Sequence, residues 1–282
     1  MYKRQHLEAV GPAPWLTLAT GWADVLTSLE GEEWRGLYGD RQDLPPRLVA
    51  VRLAVVLRPD PERRLERNLR IAGVEQVVVQ HPTPAPGSHA IDHLLQVLAP
   101  LQVPTYPVPR IRHPAMDETG EADRTAVFLH PGSGGRHKRW PTERFLTLAR
   151  ALKDQGRHPI LLLGPIELEQ GEAAIWQATG LPLRRAPDLW SLAGELARAR
   201  LFIGNDSGVS HLAAAVGCPI LTLFGASDPT VWAPRGWAPC RVLRAPGGDF
   251  GGQPPGANPM EALPTDAVLK VIDDFFGTHA PP

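Results

Sequence analysis

An α/β protein of two Rossmann-like domains facing a cleft is the fold that the sequence predicts, and three observations carry it. Short apolar runs alternate with amphipathic or small-residue stretches along most of the chain, and strands alternating with helices build parallel sheets with right-handed crossovers. The 282 residues are too many for one small core and suit two α/β halves. Between the halves lies a Pro-rich, aperiodic stretch over 103–122, which reads as a link.

Taken in order, residues 1–11 carry no usable pattern. Residues 15–19 read as a short strand and 22–29 as a short helix. The apolar run 48–57, interrupted by Arg52, is a strand; 61–72 is an Arg-rich helix stopped by Gly73; 76–79 is another strand. Three prolines and Gly87 make 81–87 a loop. Ile91, Leu94, Leu95 and Leu98 recur with a helical period over 90–99.

The second half is clearer. A strand at 126–129 precedes a loop at 130–141 and a helix at 142–155, whose apolar face is Phe145, Leu148, Ala149 and Leu152. A strand at 158–163 precedes helices at 168–179 and 189–199. The clearest unit is 201–224. Leu201–Ile203 is apolar, Gly204-Asn205 breaks the run, and Asp206 stands where a helix N-cap belongs. The helix through Ala213, Ala214 and Ala215 stops at Gly217 with Pro219 beyond, and 220–224 is the next strand. Residues 228–239 and 247–259 read as loops, and 264–276 as a final helix with Val268, Leu269, Ile272 and Phe276 on one face.

Ligands of parallel sheets bind outside the carboxyl ends of the strands. Three loops leave such ends here, at 130–141, 164–168 and 204–208. In the first, Gly132, Ser133 and Gly134 let backbone N–H groups approach a ligand. Lys138, one of only four lysines in the chain, would be a compact positive charge on a diphosphate; a solvated basic loop is the alternative. In the second, Glu167 either accepts from ribose hydroxyls or complements a helix dipole. In the third, Ser207, Gly208 and Val209 open a helix N-terminus, a natural anion site. Asp206 beside them is placed to read sugar hydroxyls, and His211 sits in the first turn, where packing alone is the alternative.

The string Asp-Ser-Gly-x-x-His, an Ala-rich helix, Gly-x-Pro, an apolar strand and Phe-Gly-x-x-Asp-Pro resembles the donor-binding segment of glycosyltransferase family 9, the ADP-heptose:lipopolysaccharide heptosyltransferases. The strand ending in His130-Pro-Gly, followed by Lys138 and Trp140-Pro, fits the same pattern. The resemblance covers roughly 125–276 and is weaker over 15–104. It implies a GT-B fold with a domain at 1–110, a nucleotide-sugar domain at 124–262, and a last helix at 263–282 crossing back to the first domain. It also implies a metal-independent, cofactor-free inverting transfer of heptose from ADP-heptose to a lipid-linked glycan, in the cytoplasm or peripherally at the inner membrane. By this resemblance Lys138 contacts the donor phosphates, Glu167 the ribose, and His211 the phosphate loop or donor.

The family opens with a strand, a glycine turn and a catalytic Asp, which nothing in 1–15 matches. The first domain is therefore expected to be incomplete at its start. Asp24, after Gly21, is the nearest alternative base, with a helix cap as the competing reading. An inactive or truncated nucleotide-sugar-binding module is the alternative function.

The formal net charge of −1 implies no nucleic-acid field. Cys218 and Cys240 have no metal-ligand spacing, no apolar run reaches 18 residues, and no Gly-x-Gly-x-x-Gly opens a helix as a nicotinamide enzyme would require.

Overall fold

A computed structural model describes residues 6–39, 46–116, 125–164, 173–185, 187–247 and 258–277. The chain divides into two compact units, 1–107 and 108–282. Each is α/β, with every strand pair parallel.

In the first unit β1 (Glu8–Gly11) pairs with β2 (Val25–Ser28), and β3 (Leu53–Val56) pairs with β4 (Gln76–Val79), as separate two-stranded sheets. The Arg64–Ile71 helix connects the second pair and buries Leu65 and Leu69 against Trp34, Leu37, Leu48 and Val77. Two expectations are reversed here. Residues 15–19 are helical, because Pro12 and Pro14 set up the first turn of a helix at Ala13–Leu16 that runs on as a 3-10 turn at Thr17–Ala19. Residues 25–28 form a strand, as β-branched Val25 and Thr27 favour. The run 48–57 yields a strand only over Leu53–Val56, with a 3-10 turn at Pro46–Ala50 before it.

The second unit is a six-stranded parallel sheet of β5 (Ala126–His130), β6 (His158–Leu162), β7 (Leu183–Arg184), β8 (Leu201–Asn205), β9 (Ile220–Phe224) and β10 (Cys240–Arg244). Their order is β10-β9-β8-β5-β6-β7. Counted within the unit, the strands run in the Rossmann order, and the chain reverses its direction of travel between β5 and β8. Alternation along the strands sends Val127, Leu129, Leu161, Leu201, Ile203, Leu221 and Leu223 to one core, filled by Phe145, Leu148 and Leu152 of the Thr142–Asp154 helix.

Val268 and Ile272 of the last helix, Thr265–Gly277, lie in that same core, and Leu269 and Phe276 pack against it. Four residues of this face thus serve the second unit's own core. Residues 108–116, read as part of a link, also lie on the second unit: Ile111 N–H donates to Ala215 O (2.9 Å), and the His113 ring stands 4.5 Å from that of Trp190.

Gly217 ends the Gly208–Ala215 helix region at φ +77°, and a Cβ there would lie 1.8 Å from the Trp237 ring. Gly217→Ala therefore combines a left-handed strain with displacement of a packed indole, and is expected to cost roughly 1–3 kcal/mol. Urea unfolding checks this: the midpoint should fall with the slope unchanged.

Candidate functional site

The site is built where the sheet reverses, at the carboxyl ends of β5 and β8. All five residues of β8 are buried, and the chain then turns at Asp206 into the Gly208–Ala215 helix. The N-cap is Ser207, with extended backbone (φ −154°), rather than the expected Asp206, and its side chain makes no capping hydrogen bond. The opening N–H groups of a helix have no acceptor within it, so those of the Ser207-Gly208-Val209 turn remain as an anion-binding edge. Ser210 Oγ donates to Asn205 O at 2.6 Å. With that proton spent, the 3.3 Å contact between Ser210 Oγ and Ser207 Oγ makes Ser207 the donor.

Asp206 is tied from two loops. Its Oδ2 accepts from Lys138 Nζ at 2.7 Å and from Ser227 Oγ at 2.6 Å, and its backbone carbonyl accepts from Ser133 Oγ at 2.9 Å. The carboxylate is 8% exposed and the lysine 33%. A charge so far out of water needs both a partner and hydrogen bonds, and Asp206 has them. The ion pair also holds the ammonium beside the helix N-terminus.

Ser133, Gly134, Gly135, Lys138, Asp206, Ser207, Gly208 and His211 line one hollow of about 320 Å³. Seven of these eight were expected from sequence, and Gly132 is buried next to Ser133. Val209 lies in the first helical turn. Arg139, next to Lys138, is engaged by the loop itself, with Nε donating to Ser133 O at 3.0 Å. Arg136 is exposed. Glu167 lies outside the described residues.

Asp24 is placed differently. Its Oδ2 accepts from Leu7 N–H at 2.9 Å, tying the residues just before β1 and β2 together. That is the amino end of the strand pair, opposite to the end where parallel sheets bind ligands.

Ser227, Asn205 and Asn258 were not singled out from sequence. Asn258 Nδ2 donates to Arg139 O at 2.9 Å and so braces the basic loop. The one signal for Ser227 was its place in the Phe-Gly-x-x-Asp-Pro string, just after β9.

A larger hollow of about 840 Å³ lies over Phe128, Ile160, Arg184 and Arg198. Ala126, at the amino end of β5, belongs to its lining, and Arg184 there is paired with Glu195. The smaller hollow gathers a lysine, a helix N-terminus and a carboxylate at the strand ends, and it is the better candidate.

The family model of Glycosyltransferase family 9 (heptosyltransferase) matches residues 72–241, more than half of the chain. Lipopolysaccharide heptosyltransferase 3 of Escherichia coli K12 is 30% identical over 181 residues, covering 57% of this chain and 51% of that protein. The chain spans about half the length of the curated relatives it matches first. Among solved structures, a family 9 glycosyl transferase from Veillonella parvula superposes with a TM-score of 0.74 at 18% identity, over 97% of this chain and 89% of that one. The E. coli ADP-heptose lps heptosyltransferase II gives 0.73 at 19%, over 99% and 92%. Both likenesses are of fold. No helix among the described residues is long and apolar enough to cross a membrane.

Proposed function

The chain belongs to glycosyltransferase family 9, and from that membership we propose that it transfers a sugar, heptose from ADP-heptose, to a lipid-linked glycan of the lipopolysaccharide type. The observation that carries the reading is the meeting of Lys138, the Ser207–Val209 turn and Asp206 around one hollow at the sheet's reversal point. A diphosphate needs the first two. A carboxylate beside them would only repel a bare diphosphate; it suits a ligand that also carries hydroxyls next to its phosphate. Asp206 Oδ2 is occupied by Lys138 and Ser227, and Oδ1 is the oxygen we assign to sugar hydroxyls. His211 and the backbone of Gly132–Gly134 complete the phosphate cradle, and Glu167 is proposed to read the ribose.

The reaction follows as a direct displacement with inversion. The acceptor oxygen forms a bond to the anomeric carbon while the bond from that carbon to the diphosphate oxygen breaks, and the electron pair leaves with ADP. Lys138 and the helix N–H groups stabilise the charge that grows on the leaving diphosphate. The acceptor's proton passes to a base within hydrogen-bond reach. Asp24 is not assigned that role, because it is bonded to Leu7 at the amino ends of its strands. We place the protein in the cytoplasm, in peripheral contact with the inner membrane where its acceptor would lie. A module that binds nucleotide sugar without transferring it is the second reading, favoured by the engagement of Asp24 elsewhere.

The test is a panel of nucleotide sugars, read first as a shift in melting temperature and then as transfer. A ligand at 100 times its Kd should stabilise the protein by about 2.7 kcal/mol. ADP-heptose should shift the melting point more than ADP, and ADP more than UDP or GDP. A panel in which no adenine diphosphate sugar shifts it would refute the reading; binding without transfer would favour the second.

A further inference from the structure

We infer that Asn205 is the positioning residue of the site: its buried side chain spans the two ends of the 131–140 loop and so fixes Lys138, an inference that rests on the donor-site reading above. The amide is fully buried. Its Nδ2 donates to Pro131 O at 2.8 Å, and its Oδ1 accepts from Trp140 N–H at 3.0 Å. One side chain therefore holds the first and last residues of the segment that carries Ser133, Gly134 and Lys138.

The backbone explains why a side chain is needed there. The β5–β8 ladder runs to His130 opposite Gly204. The residue that follows β5 is Pro131, which has no N–H to continue the ladder. At that point the strands part, and both ends of the loop need partners on the β8 side other than the ladder. The Asn205 amide replaces the ladder, because it offers one donor and one acceptor at a spacing that meets a carbonyl and an N–H together. Asn205 is itself held: Ser210 Oγ donates to its carbonyl, and the next N–H, that of Asp206, donates to Leu223 O at 3.1 Å. The same short segment thus carries the strut for Lys138 and, one residue on, the carboxylate that pairs with it. A leucine at 205 would fill the space yet leave two buried backbone groups unmatched. An aspartate would keep the acceptor and turn a negative charge on Pro131 O.

The test pairs two measurements. In calorimetric titrations with ADP, Asn205→Ala and Asn205→Leu should each weaken binding about tenfold, the scale of losing a net hydrogen bond that positions a charged group. The decisive arm is the double variant with Lys138→Ala. If Asn205 acts through Lys138, the double variant binds ADP within about twofold of Lys138→Ala alone, the mark of coupled residues. Losses that add, or Asn205 variants that bind as wild type does, overturn the inference. The second measurement needs only the wild-type chain. Amide exchange should find Trp140 N–H as protected as the amides of β8, and Gly134 and Gly135 much faster. A Trp140 amide as fast as Gly134 would overturn the strut even if both variants failed to fold. Wild-type protein that bound no ADP would sink the donor-site reading, and the exchange measurement would still decide the strut.

Discussion

Lys138→Ala is expected to weaken ADP binding by about 1.5–3 kcal/mol, roughly ten- to more than a hundredfold, the range for hydrogen bonds to charged groups. The loss has two sources. The ammonium that meets the diphosphate is removed, and the Asp206 carboxylate, 8% exposed, is left with Ser227 as its remaining side-chain partner among the described residues. That unpaired negative charge would then face the incoming phosphates. Arg136, exposed on the same loop, is the control. Arg136→Ala should change affinity by less than about 0.5 kcal/mol, as surface substitutions do. Calorimetry on both variants separates a positioned ammonium from a diffuse basic patch. Equal losses would favour the patch, and no loss at Lys138 would remove the residue from the site.

Trp140→Ala is expected to cost about 3–5 kcal/mol of stability, the range for emptying a large aromatic site, against a total of some 5–15 for a domain. Trp140 is 1% exposed, meets the Phe145 ring edge-on at 4.9 Å, and donates from its indole to Leu263 O at 2.9 Å. It also closes the phosphate loop through Asn205. The variant should therefore lose stability and ADP affinity together. Trp140→Phe keeps much of the volume and loses the indole donor, so it should recover most of the stability. An unfolding free energy from urea titration within about 1 kcal/mol of wild type for Trp140→Ala would show that the ring is not part of the core.

How much of this was legible in the sequence differs between the halves for physical reasons. β8, its helix and β9 could be read almost residue by residue. Both strands are wholly buried, so their apolar runs are unbroken, and Gly217 and Pro219 punctuate them. β10 was missed. It lies at the sheet edge, and Arg241 and Arg244 interrupt its apolar pattern as an edge strand allows. β1 was missed for a related reason: Glu8-Ala9-Val10-Gly11 is only partly buried and shows no period. In the site, Lys138 and the Ser207 turn could be found because each sits at a strand end with a local signature. The pairing of Lys138 with Asp206, and the Ser227 and Asn205 contacts, join residues that are respectively 68, 21 and about 70 positions apart. No local spacing records such convergence. The role expected of Asp206 as a helix cap shows the limit of local rules: the start of the helix was placed one residue early, because tertiary partners claim Asp206 and the N-cap is Ser207.

We propose that ADP-type donors bind between the 131–140 loop and the opening turn of the Gly208–Ala215 helix. Hydrogen–deuterium exchange with and without saturating ADP tests it most directly, because it reports binding and location together. Slower exchange is expected over 133–138 and 206–211, with the amides beside Arg184 and Arg198 unchanged. Bound ADP that left both of those segments unaltered, or that protected the larger hollow around Arg184 and Arg198 instead, would contradict it.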